Sequence, residues 1–138
     1  MKWLKKEATI NNLNEMIDFI LDNLKVDTNI SYHMEMQIRL LCEEAFVNII
    51  NHAYPSKNGI IIAGYEFDKK NNYITVKMCD YGIEFNPINE KNPDITCDIM
   101  QRDVGGLGIF LLKEISDSIG YERKKDMNIL TIRKYCMV

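Results

Sequence analysis

The chain has no apolar run that approaches the ~20 residues needed to span a bilayer. Lys2, Lys5 and Lys6 open the sequence, but Glu7 follows them and no apolar signal core does. Both absences lead us to expect a cytoplasmic protein with no membrane partner. Histidine is scarce, with only His33 and His52, and the four cysteines, Cys42, Cys79, Cys97 and Cys136, are widely spaced. No pair of them has zinc-ligand or redox spacing, so a Cys/His metal site is not expected. Cys42 and Cys79 sit in apolar runs and read as buried, reduced thiols. No long block of one charge sign occurs and the net charge is only -3, which argues against a dedicated nucleic-acid surface. Internal repeats, low-complexity tracts and linkers are all missing. No Gly-Lys-Ser/Thr element exists, which excludes the common phosphate-loop NTPase.

What remains is an ordinary soluble composition. The 138 residues fit a single domain, 1–138, large enough to bury a core without staples. Residues 2–10 read as a first strand, with Trp3 and Leu4 as apolar anchors. Asn11 or Asn12 can cap a helix whose Leu13, Ile17, Ile20, Leu21 and Leu24 share one face. After a polar turn at residues 26–30, a second helix runs from about Ser31 to Tyr54, with Met34, Ile38, Leu41, Ala45 and Ile49 apolar. Strands over 59–67 and 73–79 flank a polar hairpin turn at Lys69 to Asn72. Asp80 to Val104 lacks periodicity, and a stretch of this length in a compact domain is usually a functional loop or lid. A helix over 105–118 and two strands near 121–124 and 128–135, turning at Asp126, complete the chain. This order predicts an α+β two-layer sandwich: a mixed, mostly antiparallel sheet with helices on one face.

Three segments carry candidate chemistry. Glu44 and Asn48 are four residues apart on one helix face, which Asn51 and His52 extend by a turn. An amide oxygen is a hard ligand suited to magnesium, and a carboxylate one turn away can take a proton from an attacking hydroxyl. Asp80 ends an apolar strand before Tyr81 and Gly82, where a carboxylate can accept a hydrogen bond from an exocyclic amine. Gly105, Gly106 and Gly108 open a helix, and free N–H groups at a helix start bind phosphate. Each segment alone also has a plainer reading: surface neighbours on a helix, an Asp turn, a flexible hinge.

Together, and in this order, the segments resemble the N, G1 and G2 boxes of the GHKL ATP-binding superfamily. The Asn51-His52-Ala53-Tyr54 extension and the Gly-Gly-Leu-Gly-Ile-Phe-Leu-Leu string are similar to bacterial anti-sigma factor serine/threonine kinases, over about residues 8 to 135. The resemblance implies ATP and Mg2+ as cofactors, Glu44 as general base and Asn48 as magnesium ligand. It implies adenine recognition by Asp80 with Gly82 beside the ring. Gly105, Gly106, Leu107 and Gly108 would cover the phosphates. Asn128 stands where the family usually has an adenine-side Thr, and Val104 where many of these kinases have Arg, with Arg102 nearby. An anti-anti-sigma protein, a sigma factor or both are the implied partners, and relatives are often homodimers. Three functional readings follow: a serine/threonine protein kinase, a nucleotide-dependent binding module without transfer, and a separated histidine-kinase catalytic domain. The last needs a phospho-accepting His on a dimerisation helix, and none is visible.

Overall fold

The computed structural model describes residues 1–54, 58–89 and 106–136. Strand β1 spans Lys2–Glu7 and leads through a short 3-10 turn into helix α1, Leu13–Asp27. Helix α1 buries Met16, Ile17, Ile20, Leu21 and Leu24, the face expected from the spacing. It runs through Val26, so the polar turn is shorter than expected. Helix α2, Tyr32–His52, starts where the Ser31 hydroxyl accepts a hydrogen bond from the Met34 N–H at 3.1 Å. Ile38, Leu41, Ala45, Phe46 and Ile49 are its buried stripe.

Strands β2, Ile60–Asp68, and β3, Tyr73–Asp80, form the expected hairpin. Asn72 takes the positive φ of 58° that the turn requires. Helix α3 spans Gly106–Ile115, followed by β4, Ser118–Lys124, and β5, Met127–Tyr135. The third helix is therefore shorter than expected, and Ser118 to Gly120 belong to a strand.

The strand order is β1-β2-β3-β5-β4, and all four pairings are antiparallel. The mixed sheet expected from the element order is corrected on this point: among the described residues no parallel pair is hydrogen-bonded. The physical reason is chain path. Two helices between β1 and β2 carry the chain out and back, which reverses the strand direction. After α3 the chain enters β4 in the same direction as β3, but β5 folds back and inserts between them.

One sheet face is apolar, with Ile61, Ala63, Tyr65, Ile74, Val76, Met78, Leu130 and Ile132 buried in the same core as the helices. Cys42, Cys79 and Cys136 are buried free thiols, and burial pushes the Cys42 thiol up to about 12. On the core-facing side, Asp80 pairs with Asn128 and Asn128 with Arg123, so three adjacent strands line up one row of polar residues. That row ends the apolar core and starts the site.

Candidate nucleotide site

Helix α2 supplies the first two groups. Asn48 is 9% exposed, and its amide has no hydrogen-bond partner among the described residues. An unpartnered buried amide is costly unless a ligand or water satisfies it. Asn48 lines two recesses. The larger, about 340 Å³ and open to solvent, is walled by Ala45, Met78, Phe85 and Leu130, with Asp80 and Asn128 among its polar lining. The smaller is lined by Glu44, Asn51, Gly108 and Ile109. One helix turn thus joins an apolar slot to a polar one.

Glu44 is half-buried, and burial, with Glu43 beside it, raises its carboxyl above the usual range. Glu43 itself points to solvent. A carboxylate held upward in this way is a stronger proton acceptor. The neighbour that approaches it is Gly108 in the first turn of α3: a β-carbon built there would lie 2.1 Å from Glu44 Oε2. Glycine leaves the Glu44 carboxylate in this place, and a side chain would push that flexible end aside. Gly106 and Leu107 share that first turn. Gly105, Arg102 and Val104, with residues 90–104 of the expected lid, lie outside the described residues.

Asp80 is 3% exposed at the end of β3. Its Oδ1 accepts from the Gly82 N–H at 2.9 Å and from Asn128 Nδ2 at 2.8 Å. Burial raises its carboxyl, and these two bonds with the nearby Arg123 charge pull the other way. Gly82 is required by packing: a β-carbon would lie 2.2 Å from the Ala53 carbonyl oxygen. That carbonyl accepts from the Ile83 N–H at 3.0 Å, so the turn is tied to the end of α2. Tyr54 adds a second tie, its hydroxyl accepting from the Tyr81 N–H and donating to the Ile60 carbonyl, both at 2.8 Å. His52 stacks on Phe85 with ring centroids 4.5 Å apart. The Asn51-His52-Ala53-Tyr54 segment is thus a clamp on the Asp80 turn.

The structure brings Asp80, Asn48 and Asn128 around one recess, with Gly82 behind Asp80 and hydrogen-bonded to it, and Glu44 and Gly108 around the next. Sequence reasoning missed Tyr121, Arg123 and Phe85. The Tyr121 hydroxyl donates to Asn128 Oδ1 at 2.5 Å. Arg123 Nη1 donates to the Gly82 carbonyl at 2.8 Å and to Asn128 Oδ1 at 3.1 Å. Strand alternation from Asn128 would have placed the two on the same face, had the register been known.

The described residues contain no group of three or more His, Cys, Asp or Glu that could hold a metal. A single amide oxygen with an otherwise unpartnered amide fits magnesium, which takes its other oxygens from phosphate and water. No helix among the described residues is long and apolar enough to cross a membrane.

The chain is 26% identical over 103 residues to the serine-protein kinase RsbW of Staphylococcus aureus (strain MRSA252), covering 70% of this chain and 63% of that protein. It is 20% identical over 115 residues to the serine/threonine-protein kinase BtrW of Bordetella bronchiseptica, covering 83% of this chain and 80% of that one. The chain thus spans 63% of the length of the staphylococcal relative. Among solved structures, the Acinetobacter baumannii histidine kinase AdeS superposes with a TM-score of 0.51 at 12% identity, over 100% of this chain and 70% of that one, a likeness of fold. Residues 7–134 match the histidine kinase-like ATPase domain, and the chain belongs to that family.

Proposed function

We propose that the chain binds ATP with magnesium and passes the γ-phosphoryl group to a serine or threonine of a small protein partner. The relatives named as serine and serine/threonine kinases support this reading, and so does the site. The observation that carries it is the position of Asn48, buried, without a partner among the described residues and shared by the two recesses. A base in the larger recess would meet Asp80, and phosphates would pass Asn48 toward Glu44 and the start of α3.

In this reading the partner's hydroxyl oxygen attacks the γ-phosphorus. The bond to the β–γ bridging oxygen breaks, ADP leaves, and the hydroxyl proton passes to Glu44. Asn48 would hold magnesium, which would supply charge neutralisation on the phosphates. Glu44 holds the proton, Asp80 orients the base, and the α3 N-terminus directs N–H groups toward negative charge. The partner proposed is an anti-anti-sigma protein, the chain acting as an anti-sigma factor in the cytoplasm.

The test is transfer of label from ATP, with magnesium, to candidate antagonist proteins. Transfer that Glu44→Gln removes without loss of ATP binding supports the kinase. Binding of ATP and of a sigma factor with no transfer would replace it with the binding-module reading.

A further inference from the structure

The Asn128 carboxamide uses every polar direction it has. Nδ2 donates to Asp80 Oδ1 and to the Ile83 carbonyl, both at 2.8 Å. Oδ1 accepts from Tyr121 and Arg123. An ionised carboxylate and a carbonyl can only accept, and a guanidinium can only donate. The four partners therefore permit one orientation of the amide and forbid the flipped one. Arg123 and Tyr121 come from β4, the far edge of the sheet, and neither bonds Asp80 itself: this amide links both to it, and Arg123 also holds the Gly82 carbonyl and lends its charge.

The consequence falls on Asp80. Oδ1 is occupied by two donors, and Oδ2 has no hydrogen-bond partner among the described residues. The acceptor left for a ligand at this end of the recess is Oδ2. The Tyr121 and Asn128 groups that also line the recess are already committed to each other. A lone acceptor is complementary to an exocyclic amine and opposed to a carbonyl in the same place.

Resting on the nucleotide reading above, we infer that Tyr121 and Arg123 are positioning residues that set nucleobase selectivity by locking the Asn128 amide. Without them Oδ1 loses both of its donors, and only the two Nδ2 bonds hold the amide. The donor to Asp80 is then less firmly held and the Arg123 charge near the carboxyl is gone, both of which favour protonation of Asp80. A protonated carboxyl donates to a carbonyl. Selectivity between an amino and an oxo purine would narrow, which a loss of packing alone would not produce.

Calorimetry with magnesium and either ADP or IDP tests this, because IDP carries a carbonyl where ADP carries the amine. The wild type is expected to prefer ADP. Combined Tyr121→Phe and Arg123→Gln should cut that preference by roughly tenfold or more, since a site that hydrogen-bonds one group strongly rejects its absence. Arg123→Gln alone, the milder variant, should show part of the change. Arg123→Lys in the Tyr121→Phe background should restore most of the preference, because one charged nitrogen makes both Arg123 bonds. Equal weakening of ADP and IDP, or no change in their ratio, would overturn the inference and leave nucleotide binding standing. Binding of neither by the wild type would overturn the nucleotide reading itself.

Discussion

The carboxylate of Glu44 occupies the space that a side chain at Gly108 would fill, with Oε2 2.1 Å from the missing β-carbon. The start of α3 and the proposed base are therefore set against each other by contact. Alanine at 108 favours the helix by about 1 kcal/mol through propensity alone. The same methyl must push Glu44 away. Gly108→Ala is expected to melt at an unchanged or higher temperature while phosphoryl transfer falls by about tenfold or more. A variant that loses stability and transfer together would show instead that the contact is structural.

Glu44→Gln keeps the size of the side chain and removes its basicity. ATP binding should be nearly unchanged and transfer should fall about 100-fold or more. The base works ionised, and its carboxyl is raised by burial and by Glu43. Wild-type transfer should therefore rise with pH through that raised value. The Gln variant should lack this limb. Single-turnover rates across the acid range measure both.

Much of this fold follows from local pattern. The buried face of α1 is set by the spacing of Ile17, Ile20, Leu21 and Leu24, and the β2–β3 turn by its polar residues. The end of α3 was not legible, because Ile119 continues the helical period from Ile115 as well as it fits strand alternation. Long-range contacts decide it: the Asp117 N–H donates to the Arg133 carbonyl at 2.9 Å, and Ser118 pairs with Arg133. Glu44 and Asn48 were legible because a four-residue spacing fixes a shared helix face. Tyr121 and Arg123 were not, since they meet Asp80 only across β5, and Tyr121 to Lys124 read locally as an ordinary strand beside a polar turn.

Gly82→Ala tests the clamp. The added methyl meets the Ala53 carbonyl oxygen at 2.2 Å, a backbone atom that α2 holds in place. Overpacking of this kind costs about 1–3 kcal/mol. The Asp80 turn must also leave its bond to Ala53, so ADP binding should weaken as well. Thermal melts and ADP titration read the two effects. A stable variant with normal ADP affinity would show that the turn tolerates displacement and that the clamp does not position Asp80.

Asp80→Asn separates stability from binding. Burial raises the Asp80 carboxyl in the folded protein, so folding favours its protonated form. That contribution is present in full below the unfolded-state value and is lost as pH rises through the raised one. Ionised Asp80 is thus a cost to the empty protein at neutral pH. Asparagine removes the charge, and its Oδ1 can still accept from Gly82 and Asn128. Its Nδ2 cannot accept from an exocyclic amine. The empty variant should melt at the same temperature as wild type or higher, with a flatter dependence on pH from acid to neutral. ADP binding should weaken by about 1–3 kcal/mol, so the stabilisation that magnesium and ADP give the wild type should shrink. A destabilised variant that keeps the full ADP-induced shift would remove Asp80 from base recognition and make it a structural residue of the β3 end.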